Sequence, residues 1–394
     1  MNLLVIGNGL DLAHHMPTRY SDFLEFMTLC VTNYIPRWQS LRGDLKPDDT
    51  SFLEGDGAIL DELSRSIVDN SKVTALFHDN QEKFKSMLSS ARLLDKFYEN
   101  SILRYCLYVY AYKKYFGREF NWIDIENELL KLLAALYTEK TLSIILPHIN
   151  RAGQSELITF YFPTVARELT TKIFPPELFH SEMFKYLFNE LEDFSLMLRL
   201  YLKLVRDDFY NTETPRKVFQ IHSQDSDGGI FVDGVLSFNY TDTAKIYAPD
   251  VPIYFINGSL EDKKIILGVE NPAIEKTADY SNDNIHLFFK NVQRVLYDFH
   301  DDYTSTLRDY NKIFGINVYI IGHSLASSDR YILTDVMMRA DTVTIYYHTE
   351  KDKQSKIANL YQILGDELFT KHVNNPEATP CIELVPQKSI MSEE

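Results

Sequence analysis

Cysteine, basic charge and long apolar runs are all scarce in this sequence, and each shortage removes a class of protein. The three cysteines, Cys30, Cys106 and Cys381, lie far apart and form no C-x-x-C pair. Neither a disulfide scaffold nor a structural zinc site is therefore expected, and a reducing compartment with buried thiols fits. Forty Lys and Arg face 56 Asp and Glu, for a formal charge of -16, a field that repels phosphate backbones and argues against nucleic acid as a partner. No stretch approaches the roughly 18 apolar residues of a membrane span, and the first residues carry no basic segment ahead of an apolar run. A cytoplasmic chain with no membrane partner and no metal is expected.

Apolar and aromatic residues are abundant instead: 45% of the 394 residues are apolar, with 25 Tyr and 25 Phe. That supplies a large aromatic core and an ordered chain over most of its length. The length suits one large α/β domain with an insertion, or two domains. The polar stretch from Gln387 to Glu394 is expected to fray.

The most informative segment is Leu3-Leu4-Val5-Ile6-Gly7-Asn8-Gly9-Leu10-Asp11. Four apolar residues without polar alternation predict a strand covered on both faces, as in a parallel sheet. Gly7 and Gly9 allow a sharp turn and the approach of bare backbone N–H groups to an anion. The complete G-x-G-x-x-G spacing is not met, because position 12 is Leu, and dehydrogenase chemistry loses support accordingly.

Further strands are predicted at Gly234 to Tyr240, Ile253 to Gly258, Ile265 to Val269, Asn317 to Gly322 and Thr342 to His348. Between the two groups of strands the pattern is helical. Apolar residues from Phe84 to Val109, three or four apart, predict one long helix or two joined ones over Lys83 to Gly117. Asn121 with Asp124 resembles a cap for a helix burying Trp122, Ile125, Leu129, Leu133 and Leu136. Residues 183 to 210 read as helix again. The expected fold is α/β, a parallel Rossmann-like sheet built from 1–40 and 216–394, with a large helical insertion, 41–215, after the first strand-helix unit.

Four motifs fall at predicted C-terminal strand ends, the edge where open α/β sheets bind ligands. They are Gly7-Asn8-Gly9-Leu10-Asp11, Phe238-Asn239-Tyr240-Thr241-Asp242, Ile256-Asn257-Gly258-Ser259, and Gly322-His323-Ser324-Leu325 with Asp329. Taken singly, each is also an ordinary turn or cap. Asp11 could engage a ribose hydroxyl or cap its own turn. Asn239, a carboxamide at an apolar strand end, must pair with the protein or with a ligand, and in a nucleotide site it could position water or a ribose hydroxyl. His323 leaves the sheet where an imidazole could serve as acid or base, or simply bond to backbone; His14 and His15 are weaker candidates of that kind. Glu126, beside the apolar stripe of its helix, needs either a salt bridge or a role as a shifted base.

These segments resemble the AbiH family of bacterial abortive-infection proteins. The resemblance rests on Gly7 to His14 with Pro17 to Leu24, then Asn121 to Glu126, Phe238 to Thr241, and Gly322 to Leu325 with Asp329, from the first residues to about residue 365. The order of loops is also similar, more distantly, to sirtuin-like domains of antiphage defence, which bind NAD and in several cases hydrolyse it to nicotinamide and ADP-ribose. That resemblance implies a sirtuin-like sheet, with Asn239 orienting the ribose and attacking water and the glycine loop holding pyrophosphate. The nucleotide contacts it implies are Gly7, Asn8, Gly9, Asp11, Tyr240, Asp242, Gly258, Gly322, Ser324 and Asp329. The chain departs from the pattern at Asn257, where those enzymes usually have His before Gly; Asn takes no proton near neutral pH, so His323 or Glu126 would substitute.

The leading expectation is an antiphage effector that binds NAD or a related nucleotide and cuts its N-glycosidic bond. A phage-derived trigger, a partner defence protein or a second copy of the chain are the macromolecular partners that fit. An alternative is a serine hydrolase, with Ser324 in a Gly-His-Ser-Leu-Ala elbow, Asp335 or Asp341 as acid, and His348 or His372 as base. A third is a non-catalytic nucleotide sensor, favoured by Asn257.

Overall fold

The computed structural model describes residues 1–34, 70–94, 97, 100–116, 124–138, 179–212, 215–223, 229–270, 284–299, 304–305 and 315–392. The chain forms two compact units, one of Met1–Thr18, Val205–Ile266 and Lys290–Glu394, the other of Arg19–Leu204 and Leu267–Phe289.

The first unit is mixed α/β. Its sheet has six strands: β1 (Asn2–Ile6), β2 (Gly234–Ser237), β3 (Ile253–Phe255), β4 (Asn317–Ile321), β5 (Thr342–Tyr347) and β6 (Cys381–Pro386). Every neighbouring pair is parallel, in the order β3-β2-β1-β4-β5-β6. Leu4 sits between Val235 and Tyr319, which places β1 at the centre. Its lack of polar alternation is explained by burial on both sides. Leu3 and Val5 join Val318, Ile320, Val343 and Ile345 under the helices Arg330–Met338 and Glu350–His372, while Leu4 and Ile6 join Val235, Ile321, Tyr247 and Phe219 on the other face.

The second unit is helical, with Tyr20–Tyr34, Ser71–Ser90, Ser101–Phe116, Ile125–Thr138 and most of Phe179–Thr212. Its core is aromatic: Phe26 lies edge-on to Phe77 and Phe84, and Phe23 to Phe194. Among the described residues no helix is long and apolar enough to cross a membrane.

Several expectations need correction. Ile265 to Val269 is not a strand: Ile266 donates to the Asn257 carbonyl and Val269 only bridges Phe289. An apolar run is equally compatible with a buried loop whose backbone groups find isolated partners. Over 83–117 the second of the two expected arrangements, two helices, is the one formed: the break comes where Arg92 takes a positive φ of 58° and Asn100 caps the second helix by accepting from Leu103 N–H at 2.8 Å. Residues 387–392 do not all fray, because Gln220 N–H reaches Ile390 O at 2.8 Å and Ser392 N–H reaches Val218 O at 2.9 Å. The sixth strand, β6, and a short parallel pair, Ile221–His222 with Ile230–Phe231, were not anticipated. Asn121 and Trp122 lie outside the described residues; Asp124 accepts from Asn127 N–H at 3.0 Å, and Ile125, Leu129 and Leu133 are buried as expected.

Candidate functional site

Parallel strands put all their C-terminal ends on one edge, so the loops after β1, β2, β3 and β4 emerge together. The first and last of these meet backbone to backbone. Gly7 N–H donates to Ile321 O at 3.2 Å and Gly9 N–H to Gly322 O at 2.8 Å. A Cβ on Gly7 would lie 2.7 Å from the His323 Cα, and one on Gly9 2.6 Å from the Gly322 Cα. These glycines therefore permit loop contact, and their N–H groups are spent on β4 carbonyls rather than left bare for an anion. Asn8 is likewise engaged: its side chain donates to Thr18 O at 3.1 Å and accepts from the Thr18 hydroxyl at 2.6 Å.

Beyond β4, His323 is buried and edge-on to Phe238, with ring centroids 4.5 Å apart. Its Nδ1 accepts the Leu325 N–H at 2.9 Å, which leaves the ring hydrogen of the neutral form on Nε2, facing Asp329 Oδ2 at 3.5 Å. Asp329 is also paired with buried Lys290 at 2.8 Å. Burial would raise the Asp329 carboxyl, but Lys290 and His323 outweigh it and hold it well below the usual carboxylate range. The buried Lys356 ammonium donates to the His323 carbonyl. His323 thus sits at the centre of a satisfied network.

Ser324 is exposed, and its carbonyl accepts from Asn359 at 2.9 Å. The positive φ angles of this turn fall on Gly322, 66°, and Leu325, 57°, and not on Ser324. Among the described residues no hydrogen bond joins the Ser324 hydroxyl to a histidine: His372 Nδ1 is bonded to Pro380 O and His348 is exposed. Asp335 pairs with Arg339. The residues named for a serine triad are not assembled into one.

Asn257 is buried and fully engaged, donating to Phe238 O at 3.3 Å and accepting from Arg294 Nη2 at 3.2 Å. Arg294 also donates to Ile256 O and to Asn291 Oδ1. Gly258 takes φ +80° with the Phe299 ring against its open side. Tyr240 donates its hydroxyl to Ile266 O at 2.8 Å.

The remaining cluster lies between the β1 and β2 loops. Asp11, 2% exposed, accepts the Thr241 hydroxyl at 2.7 Å; Thr243 in turn donates to Thr241 at 3.3 Å. Burial pushes the Asp11 carboxyl up to about 6, against hydrogen bonding from Thr241, Thr243 and Asn239 that favours the charged form, and Asp242 adds to the rise. Asn239 lies beside this carboxylate and is its hydrogen-bonding neighbour; Asn239 Nδ2 and Asp11 Oδ1 are both buried and have no other protein partner. Tyr210, from the helix Phe179–Thr212, is pushed up to about 12 by burial and by Asp242 and Asp11. His14 Nε2 is bonded to the Tyr247 hydroxyl at 2.8 Å, whereas His15 is exposed with φ 60°.

Glu126 belongs to the helical unit, not to the sheet unit that carries the other candidates. It is buried in the first turn of Ile125–Thr138, where the helix dipole favours an acid. Thr241 stood in a motif without a role of its own, and Thr243, Lys290, Arg294 and Lys356 were not anticipated as site residues. Lys290 and Arg294 carried one faint signal, an i,i+4 spacing of cations directly after the apolar pair Phe288-Phe289.

Residues 3–348 match the family model described as Bacteriophage abortive infection AbiH. No curated protein and no solved structure is significantly similar to the chain.

Proposed function

The chain belongs to the AbiH family of bacteriophage abortive infection proteins, and on that premise we propose that its sheet edge is a Rossmann-like, sirtuin-like site that binds NAD or a related nucleotide and hydrolyses its N-glycosidic bond. The observation that carries this reading is the strand order β3-β2-β1-β4-β5-β6. In open α/β sheets of that order the crevice lies outside the strand ends where the order reverses, here between β1 and β4. The loops following those strands, with the neighbouring β2 loop, hold Asp11, Asn239 and His323.

The residues fit parts of such a substrate unequally. Buried Asn239 and Asp11, paired with each other at the strand ends, are polar groups of the kind that hold a ribose hydroxyl or a water. Gly7 and Gly9 do not offer their N–H groups to pyrophosphate, so phosphate binding falls to other groups of the edge. Nicotinamide departs readily as a neutral molecule, so the chain chiefly has to orient the ribose and a water and stabilise positive charge at the sugar carbon. The acids Asp11 and Asp242 suit that charge better than they suit a phosphate.

The experiment is incubation of purified protein with NAD and chromatographic detection of nicotinamide, beside an Asn239→Ala variant. Turnover that falls on the order of a hundred-fold in the variant supports the reading. Intact NAD with wild type, or equal release by both proteins, overturns it.

A further inference from the structure

Resting on this nucleotide reading, we propose that Arg294 is a positioning residue for Asn239, and that it acts through Asn257 by fixing the peptide group that joins Phe238 to Asn239.

Asn257 stands where a His was expected, and its carboxamide carries two bonds at once. Its Oδ1 accepts from Arg294 Nη2 at 3.2 Å and its Nδ2 donates to Phe238 O at 3.3 Å. A guanidinium donates and never accepts, so only the oxygen of the carboxamide can face it. The amide end is thereby turned to Phe238, and the cation selects one of the two orientations open to the Asn side chain.

The guanidinium is itself held in one plane. Its Nε donates to Ile256 O at 3.3 Å and its Nη1 to Asn291 Oδ1 at 2.9 Å, so one rigid fork reaches acceptors in several directions. The helix that carries it, Lys290–Leu296, has 7 residues and is too short to hold a position by itself. Lys290, one turn before Arg294 on the same face, supplies the other anchor. Its ammonium is 2.8 Å from Asp329 Oδ1, Asp329 Oδ2 faces His323, and the His323 ring lies edge-on to that of Phe238. Both cations of this short helix therefore converge on one residue, Arg294 on its carbonyl and Lys290 on its ring.

Phe238 passes this on to Asn239 because a peptide group is planar: the Phe238 carbonyl, the Asn239 nitrogen and the Asn239 Cα move as one body. The Phe238 N–H is bonded to Ile6 O at 3.0 Å and the Ser237 hydroxyl to Asn239 O at 3.1 Å, so the chain is held on both sides of that plane. The Asn239 side chain leaves it in a set direction, beside Asp11. A shift of about 1 Å at such a group can cost on the order of a hundred-fold in rate.

Two measurements test the relay separately. Hydrogen exchange is first compared in wild type and Arg294→Met without nucleotide. The reporters are Ile266 N–H, bonded to Asn257 O, and Leu260 N–H, bonded to Tyr240 O; the Val5 and Ile320 amides of β1 and β4 are the references. Exchange at the reporters is expected to quicken about ten-fold or more in the variant, with a much smaller change at the references. Unchanged reporters, or an equal rise at the references, overturns the positioning role whatever the nucleotide.

Nicotinamide release from NAD is then followed with wild type, Arg294→Met, Arg294→Lys, Asn257→Ala and the double variant of Arg294→Met with Asn257→Ala. Arg294→Met is expected to lower kcat on the order of ten- to a hundred-fold with KM nearly unchanged. Arg294→Lys, whose ammonium still reaches one acceptor, should recover part of the rate, and the double variant should fall no further than Asn257→Ala alone. A loss confined to KM, no recovery by Lys, or losses that multiply in the double variant overturn the relay. Absence of wild-type turnover overturns the hydrolytic reading instead, and the exchange comparison then decides the relay on its own.

Discussion

Gly9 and Gly322, more than three hundred residues apart in sequence, are joined by a 2.8 Å backbone hydrogen bond, and neither leaves space for a Cβ. Gly322 is also left-handed, at φ +66°, with Leu10 N 2.5 Å from where its Cβ would stand. Gly9→Ala and Gly322→Ala should therefore each destabilise the protein by about 1–3 kcal/mol through overpacking against backbone. Gly322→Ala should lose roughly 1 kcal/mol more for its conformation. Gly365→Ala is the control: φ is +74° but nothing lies within 4 Å, so only the conformational cost remains. Urea denaturation of the three variants checks the ranking.

The Lys290–Asp329 pair should behave as a buried ion pair. Asp329→Asn removes the carboxylate paired with the buried Lys290 ammonium, and a loss of about 3–5 kcal/mol is expected. Because the folded-state carboxyl is held below its ordinary value of 3.8, its contribution is complete above about pH 4 and disappears as pH falls further toward the folded-state value. Thermal unfolding from pH 2 to 7 should show this acid loss in wild type and a flatter dependence in Asp329→Asn.

Asp11 carries the opposite sign. Its carboxyl rises from 3.8 to about 6 on folding, so burial costs nothing below about pH 4, where both states are protonated, and the full amount above about pH 6. A shift of about 2 pH units corresponds to roughly 3 kcal/mol. Asp11→Asn, which can still accept the Thr241 hydroxyl, should gain stability relative to wild type as pH rises from 4 to 6 and hold a constant gain above it. Paired denaturant titrations across that window provide the check.

Asn257 supplies a carbonyl to Arg294 and an amide to Phe238 O. Restoring the expected His by Asn257→His puts an imidazole against a buried guanidinium, so a loss of about 1–3 kcal/mol and no gain in nicotinamide release are expected. Asn257→Asp keeps an acceptor for Arg294 and should be tolerated better. Thermal melts with parallel product assays distinguish the two.

What the sequence disclosed follows from burial pattern. β1 was legible because a four-residue apolar run has two covered faces, and Phe179–Thr212 because its apolar spacing runs for many turns. β6 was not, since Cys381–Pro386 mixes half-exposed and buried positions between prolines, and Ile265–Val269 misled because burial without a ladder leaves the same apolar signature. The convergence of the four loops was foreseeable from their placement at strand ends. The partners were not: nothing local ties Lys290 to Asp329, Arg294 to Asn257 or Thr241 to Asp11 across 39, 37 and 230 positions. The glycines were read correctly as sites of close backbone approach, but the group approached is the β4 loop.

The most direct measurement is a crystal structure of the protein soaked with NAD. The nucleotide is expected at the C-terminal edge between β1 and β4, with a ribose oxygen about 3 Å from the Asn239 carboxamide. NAD bound elsewhere, or an edge that stays closed to it at saturating concentration, would contradict the account.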